Sequence, residues 1–491
     1  MNIRYKDIAV GADKTTTVET TAKTAFSDTT QIPYGINSPG LATCELNGWG
    51  LSHEYRVKTP EEKVAFWSST ASRNDCTFAE APTITLKFSQ QITTTGLTIQ
   101  FAMNTNDYCT IVMVEWYQAG EYKDWVVVTP DSALYTLNYT VEAFDELHIT
   151  FAKTSLPRKR CKVEGITLGV IRDFGLKELV SVKAIHEISL VSDTVPINVL
   201  DATVHSSDDV DWIFQKKQPV EAYDNGKLIG TYYIEKGEKK GLRDFSFSCK
   251  DIISLLELKD TQGGLWFEDT PLKTILSTIF GDSVGFEIDE AYTNSTLRGC
   301  LMPMNQREAL QHICFSLGAV VDTSGTAKIK IFPPAYSNAG DIAPRNTYEG
   351  GKVTTSDTVT AVEVVAFEIT NESPGNRDKY IEYDGTQYKC KQTVNRAVNP
   401  DTVTSDTENV IKYDSCYLVN SSNAQTLANN LLSYYRKRNV YTFKHVLKGE
   451  EVGGGYSVQL PWGGTTNGNI TKMTVTTSHL TASDAEMLIN D

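Results

Sequence analysis

The chain has 491 residues, too many for one typical hydrophobic core, so we expect several domains. Hydrophobic residues make up 40% of it and aromatic residues 10%, which excludes a wholly disordered protein, and no apolar run approaches the ~18 residues that a membrane-spanning helix needs. The 61 acidic residues outnumber the 46 basic ones, which disfavours binding to nucleic acid by phosphate neutralisation. We therefore expect a soluble protein with neither a membrane nor a specific nucleic-acid partner.

The amino terminus MNIRYKDIAV lacks the apolar stretch of a signal peptide, so we expect synthesis in the cytoplasm and release by another route, such as host lysis. The nine cysteines are scattered, odd in number and never arranged as C-x-x-C. This spacing disfavours a disulfide framework and a zinc site. We expect small buried thiols, no metal and no cofactor.

The first two blocks of the chain differ in composition. Residues 1–38 are rich in threonine and are interpreted as an extended arm. Residues 39–170 alternate apolar and polar side chains, for instance at Ile84, Leu86 and Phe88, and continue with the runs TIVMVEWY and DWVVVTP. Without any convincing amphipathic helix, this pattern predicts a β-sandwich or jelly roll.

A second β block covers 171–258, where Asn225-Gly226 predicts a two-residue hairpin turn because both central residues need positive φ. Residues 259–334 predict a small α/β insert. One helix is expected to start with Thr270 as its cap and to end at Gly281. Another is expected to start at Asn305, with Glu308 completing an N-x-x-E pair, and to end at Gly318.

Residues 335–491 return to β patterns, interrupted by one helix. Its apolar positions share a face at Ala424, Leu427, Ala428, Leu431 and Tyr435. The second and last blocks therefore share a make-up of strands with a short helix. The whole chain is predicted to be mainly β and multidomain: an N-terminal jelly-roll sandwich, then two tube-like β domains with short helices and a small α/β insert between them.

Three catalytic motifs are absent from the chain: H-E-x-x-H, the Walker loop and the Rossmann glycine pattern. The seven histidines (53, 148, 186, 205, 312, 445 and 479) are dispersed, and we expect structural or surface roles for them. The carboxylates Asp208, Asp209, Asp211, Glu61 and Glu62 are interpreted as solvated loop charges. No catalytic residue is assigned, and we expect a protein that is not an enzyme.

Aromatic residues of the 39–170 block offer stacking faces for a sugar, and nearby polar residues offer partners for its hydroxyl groups. The candidate carbohydrate contacts are Trp49, Trp67, Arg73, Asn74, Asp75, Asn106, Asp107 and Trp125. The basic run PRKRCK at 157–162 is interpreted as a surface loop.

Three segments resemble baseplate hub proteins of contractile phage tails and R-type bacteriocins: PVEAYDNGKLIGTYYI, the unit from Gly299 to Pro334, and GGGYSVQLPWGGTTNGNITKMTVTTSHLTA. The resemblance covers about 171–480. It implies a homotrimer in which each subunit contributes two tube-like β domains to a pseudo-sixfold ring. The implied partners are the tail tube protein, the spike protein and baseplate wedge or tape-measure proteins, in a virion or bacteriocin tail made in the bacterial cytoplasm.

A further resemblance covers about 39–170, where GLATCELNGWGL and the segment from Ala65 to Tyr108 are similar to galactose-binding-like jelly rolls of phage tail proteins. It implies a fold more firmly than a ligand. The leading prediction is a structural baseplate hub that joins tail tube to spike. Two alternatives stay open: a tail-associated protein that binds or cleaves cell-wall saccharide, and a siphophage tail-tip hub.

Overall fold

The computed structural model describes residues 1–9, 12, 15–20, 66–102, 107–207, 209, 216–261, 264–281, 284–334, 338–370, 372–375, 378–383, 385–402, 407–477 and 480–489. These residues divide into two compact units, one formed by residues 6–172 and the other by residues 1–5 together with 173–491. Strands dominate both, which confirms the prediction of a mainly β, multidomain protein. Among the described residues, no helix is both long and apolar enough to cross a membrane.

The strands, in chain order, are β1 Asn2–Ile8, β2 Thr15–Thr20, β3 Phe66–Trp67, β4 Thr83–Phe101, β5 Cys109–Gln118, β6 Glu121–Val128, β7 Leu134–Thr154, β8 Lys162–Phe174, β9 Leu179–Glu187, β10 Val199–His205, β11 Pro219–Asp224, β12 Lys227–Lys239, β13 Asp244–Lys250, β14 Leu265–Pro271, β15 Phe286–Ile288, β16 Thr296–Leu301, β17 Val320–Asp322, β18 Ile329–Phe332, β19 Asn338–Ile342, β20 Lys352–Thr355, β21 Ala361–Thr370, β22 Tyr380–Tyr383, β23 Thr386–Val398, β24 Val410–Tyr413, β25 Asn439–Val446, β26 Gly455–Gln459, β27 Thr465–Thr477 and β28 Thr481–Ile489. The α-helices are α1 Ile253–Leu256, α2 Leu272–Phe280, α3 Gln306–Leu317 and α4 Ala424–Tyr435.

The unit of residues 6–172 is built around two long, bent strands. The first part of β4 pairs with β2 and with the end of β7, while its last part pairs with the start of β7 and with β8. Register shifts in the middle of β4 mark the bend. β5 and β6 extend the sheet beyond β7, and the apolar faces enclose one core that includes Phe101, Phe151 and Trp116. The jelly-roll identity of this unit stays a prediction.

The larger unit contains one sheet that runs through both of its β blocks. Its continuous order is β20, β25, β28, β27, β9, β10, β13, β12, β11 and β1. The other half of β27 pairs with β26, which is joined in parallel by β19. Buried side chains from both β blocks form a single core on one face of this sheet.

The α/β segment between the two β blocks packs into a second apolar core, which it shares with elements of both blocks. α2 and α3 bury one side each, and α4 lies against β21 and β23 of a four-stranded sheet ordered β22, β23, β21, β24. These elements share one hydrophobic cluster. The proposed boundaries at 258 and 334 within the larger unit, and the arm at 1–38, stay predictions.

Several local predictions can be compared directly with the structure. Asn225 and Gly226 have φ of 48° and 82° between the paired Asp224 and Lys227, which confirms the two-residue turn. Asn305 caps α3: its Oδ1 accepts a 2.9 Å hydrogen bond from the backbone N–H of Glu308. The predicted Thr270 cap is wrong, because Thr270 belongs to the extended ladder of β14 with β16 and Pro271 occupies the cap position of α2.

A buried polar cluster ties the α/β segment to the sheet. The Asn198 side chain accepts from the Glu187 N–H and donates to the Thr323 hydroxyl, at 2.9 Å each, and Thr323 donates to Asp251 Oδ2 at 2.6 Å. The second oxygen, Asp251 Oδ1, has no hydrogen-bond partner among the described residues. Burial raises the pKa of Asp251 to about 7, although hydrogen bonds from Thr323 and the backbone oppose this rise.

We predict that the unit of residues 6–172, expressed alone, unfolds in one cooperative thermal transition. Phe101 is fully buried and its ring meets Phe151 edge-to-face at 6.0 Å. Truncation to alanine leaves a cavity, so Phe101→Ala should lower the free energy of unfolding by about 3–5 kcal/mol. Leu156→Ala, at a half-exposed position, should change it by less than about 0.5 kcal/mol. Chemical denaturation followed by circular dichroism measures both, and equal effects would contradict the assignment of this core.

A second prediction concerns pH. The pKa of Asp251 is raised in the folded state, so the folded protein binds a proton more readily than the unfolded chain, and stability falls as pH rises from about 4 to about 7. Asp251→Asn removes this penalty. The variant should gain on the order of 2–4 kcal/mol relative to the native chain at pH 8, and much less at pH 4.

The matched control for this experiment is Asp209→Asn, which changes a half-exposed carboxylate paired with Arg243. Because it changes only an exposed ion pair, it should alter the melting midpoint much less than Asp251→Asn does at pH 8. An Asp251→Asn effect that does not depend on pH would show that the buried carboxyl carries no such penalty.

Candidate functional site

The sheet of the larger unit has one apolar and one polar face, and the alternation in β27 shows why. Met473 and Val475 point into the core, whereas Lys472, Thr474 and Thr476 point to the opposite side. Successive side chains of a strand alternate between faces, so the paired strands repeat the same division. We call the side opposite the core the polar face.

The pairing of β27 with β9 joins the polar faces of the two β blocks. Lys472 lies opposite Glu187 and forms a 2.8 Å ion pair with it. Four residues further along β27, Thr476 lies opposite Lys183. The register therefore carries one row of polar side chains across the boundary between the blocks without a break.

Hydroxyl groups and carboxylates continue these rows on the neighbouring strands. Asp201 of β10 lies between Lys183 and Ser248, and the Ser248 hydroxyl donates to it at 2.5 Å. Thr203 lies between Ser181 and Ser246. These side chains line a depression of about 590 Å³ in the polar face.

The charges on this face are balanced. In the described parts of β9, β10, β12, β13, β20, β25, β27 and β28, the register places six lysines and six carboxylates on this face: Lys183, Lys236, Lys250, Lys352, Lys444, Lys472, Glu187, Asp201, Glu238, Asp244, Asp484 and Glu486. Several of them neutralise one another directly, such as Lys444 with Asp484 at 4.0 Å and Lys236 with Glu238. A surface of this kind offers hydration and short hydroxyl groups but no stripe of positive charge.

A cleft of about 220 Å³ lies elsewhere in this unit, where the turns at Asn225, Ser324 and Gly449 meet. Its floor includes His186, whose Nε2 lies 2.6 Å from the Tyr232 hydroxyl, and burial lowers the pKa of His186 to about 4. A histidine that stays neutral and is held by a buried tyrosine has a structural role. Among the described residues, no group of His, Cys, Asp and Glu side chains is arranged to hold a metal ion.

Of the predicted carboxylate loop charges, Asp209 forms a 2.7 Å ion pair with Arg243. The other four, Asp208, Asp211, Glu61 and Glu62, lie outside the described residues.

The candidate carbohydrate contacts fall into separate places. Trp49 and Asn106 lie outside the described residues. Trp67 is 4% exposed, and Lys162 Nζ lies 5.1 Å from the centre of its ring and 3.3 Å from Asp107 Oδ2. Lys159 also pairs with Asp107, at 3.4 Å. Two lysines of the basic run at 157–162 are thus paired within the unit.

The remaining candidates divide between a loop and a strand. Asn74 Oδ1 accepts a 2.8 Å hydrogen bond from Arg158, and Asp75 accepts two from Thr77, which lower the pKa of Asp75. Arg73 lies in the same exposed loop. Trp125, in contrast, lies on β6 with 53% of its surface exposed. The saccharide role of the whole set stays a prediction, and Trp125 has the most accessible ring among its described members.

Sequence reasoning did not identify the polar face. The signal was present in KMTVTTSHL, where apolar residues alternate with lysine and threonine. Alternation alone does not reveal which strand of the other block pairs with this one, and that pairing creates the continuous surface.

No family model matches the chain, and no curated protein matches it either. Its structure is similar to several solved structures. One is the tail protein from Neisseria meningitidis MC58, at 14% identity and a TM-score of 0.46, over 64% of this chain and 93% of that one. Another is the 43 kDa tail protein of prophage MuSo2 from Shewanella oneidensis, at 9% identity and a TM-score of 0.44, over 65% of this chain and 95% of that one.

A third similar structure is the prophage tail protein gp18 from Listeria monocytogenes EGD-e, at 12% identity and a TM-score of 0.44, over 65% of this chain and 91% of that one. At these values the similarity describes a likeness in the path of the chain and carries no function by itself.

Proposed function

We propose that this chain is a structural baseplate hub of a phage tail or a phage-tail-like bacteriocin, a homotrimeric ring that joins the tail tube to the central spike. The observation that carries the proposal is the pairing of β9 with β27, which makes one sheet out of two β blocks and gives it one charge-balanced polar face. The resemblance of residues 171–480 to hub proteins supports the same function.

The different symmetries of a tail tube and a spike explain why a hub subunit would contain two similar β blocks. A tail tube is built from hexameric rings, whereas a spike is trimeric, so a connecting ring must match six positions on one side and three on the other. Three copies of a chain with two sheet-forming blocks supply six such blocks in a closed ring. A block joined to its neighbour by backbone pairing keeps a fixed spacing, which a flexible linker would not provide.

The polar face suits the inner wall of such a ring. DNA binds proteins largely through lysine and arginine side chains that neutralise its phosphates. On this face each of Lys472, Lys444 and Lys183 has a carboxylate in the neighbouring strand. A wall of this kind lets a polyanion pass without holding it, and the mechanism is geometric, since no bond is made or broken.

The partners in this proposal are the tail tube protein, the spike protein and baseplate wedge or tape-measure proteins, and the location is the tail baseplate. No cofactor is involved, and the protein is proposed not to be an enzyme. A siphophage tail-tip hub would use the same ring and differ in its neighbours, with a tape measure instead of a contractile sheath.

The first prediction from this function is the oligomeric state. Size-exclusion chromatography with light scattering should give three times the 54.4 kDa chain mass, and electron microscopy should show a ring with threefold symmetry. Circular dichroism of the same sample controls for folding. A folded protein that stays monomeric at every accessible concentration would rule out the hub proposal.

The next prediction tests the balance of charge. The variant Glu187→Gln, Asp201→Asn, Asp484→Asn neutralises three carboxylates of the polar face, each of which lies opposite a lysine in a neighbouring strand. It should bind a 20-base-pair duplex that the native chain does not bind at 150 mM salt. Because each phosphate contact contributes about 0.9 to the slope of log affinity against log salt, the slope should be about −3.

The matched control neutralises three carboxylates that pair with Lys389 and Arg396 away from this face: Glu372→Gln, Asp378→Asn, Glu408→Gln. It changes the net charge equally and should leave DNA binding undetectable. If the control binds as tightly as the first variant, net charge decides the result and the polar face has no special role.

A further inference from the structure

Two cysteine side chains meet in the core of the unit of residues 6–172. Cys109 is the first residue of β5 and Cys161 immediately precedes β8, and each is only 1% exposed. A hydrogen bond joins their thiols. The scattered spacing of the cysteines along the chain does not reveal this pair, because it forms only when the starts of β5 and β8 enter one core.

Backbone pairing and hydroxyl groups bring the two cysteines together. Cys109 lies opposite Thr154 in the pairing of β5 with β7. The Thr154 hydroxyl donates to Ser72 Oγ at 2.8 Å, and Ser72 Oγ accepts from the Lys159 N–H at 3.1 Å. Cys161 follows two residues later. These bonds keep the segment that carries Cys161 beside the strand that faces Cys109.

The backbone of Cys161 is held as well. Its N–H donates to Ser68 Oγ at 3.0 Å, and its carbonyl oxygen accepts from the Ser68 N–H at 2.9 Å. The backbone positions on both sides of the thiol pair are therefore set by the fold. A disulfide bond then requires that side-chain rotation bring the two sulfur atoms from hydrogen-bond contact to about 2.05 Å.

The surroundings of the pair make its reaction slow. Burial, with the hydrogen bond from Cys109 as the next contributor, raises the pKa of Cys161 well above its usual value. The thiolate is the form that attacks a disulfide, so the folded pair reacts mainly when the core opens transiently. A reducing cytoplasm keeps such a pair as two thiols.

We propose that Cys109 and Cys161 are a site of oxidative cross-linking, which forms an intramolecular disulfide when the protein meets a low-molecular-weight disulfide such as oxidised glutathione. One cysteine thiolate attacks the oxidant, forms a mixed disulfide and releases one glutathione thiolate. The other cysteine then attacks the mixed disulfide and releases the second glutathione. Two electrons and two protons pass to the oxidant, and the protein loses two hydrogen atoms.

The bond joins the start of β5 to the start of β8 and closes the chain between them into a loop. A cross-link over a long loop restricts the unfolded chain more than the folded one, so the oxidised unit should unfold at a higher temperature. This inference goes beyond the hub function and does not depend on it, because both cysteines lie within residues 6–172.

The experiment uses the full chain at pH 8, just below its first thermal transition so that the core opens often. One sample is incubated with oxidised glutathione and the other with dithiothreitol. After alkylation and digestion without reduction, mass spectrometry of the oxidised sample should show a peptide that links Cys109 to Cys161 and is two hydrogen atoms lighter than the separate peptides. Its transition should lie about 5–15 °C above that of the reduced sample.

Single substitutions identify the pair. Cys109→Ala and Cys161→Ala should each abolish both the linked peptide and the shift in transition temperature. The matched control is Cys249→Ala, which removes a buried thiol of the larger unit and should leave both unchanged.

Three outcomes would overturn the proposal. Cys109 and Cys161 would both be recovered as alkylated thiols after prolonged incubation, the linked peptide would join the half-buried Cys76 to another cysteine, or Cys161→Ala would keep the full shift. The first outcome would show that the fold holds the sulfur atoms apart in spite of their contact.

Discussion

The antiparallel pairing of β27 with β9 is the constraint on which the larger unit depends. It matches Lys472 with Glu187 and Thr476 with Lys183, and a shift by one residue would exchange every core side chain for a polar one. The register thus fixes two properties together: a single apolar core shared by both β blocks and a single polar surface on the other side. The proposed tube wall is a consequence of that register.

The α/β segment between the blocks supports this sheet from a second core, which it shares with α4 and β21. Its link to the sheet is the cluster of Asn198, Asp251 and Thr323, in which one carboxyl oxygen lacks a partner among the described residues. Buried polar groups of this kind cost stability but fix one arrangement of the elements that they join. In the proposed ring, such specificity would keep the two blocks at a fixed spacing.

In the unit of residues 6–172, side chains also alternate between the two faces of a sheet. Its inner face is filled by large side chains such as Trp116, and its outer face carries Tyr117 and Trp125. The β-bulge in β6 places Tyr122 and Trp125 on the same outer face of the sheet. The loop residues Asn74 and Asp75, predicted as partners for a sugar, form hydrogen bonds with Arg158 and Thr77.

Local patterns in the sequence determined the mainly β class, the turn at Asn225-Gly226 and the helix that Asn305 caps, because these signals act within a few residues. The Thr270 cap failed because a strand partner, β16, holds Thr270 extended. Only the tertiary structure decided that β9 meets β27, nearly 300 residues away in the chain, and that Trp125 shares a face with Glu115 and His148. Register and partner choice arise from long-range packing, which no local window of sequence contains.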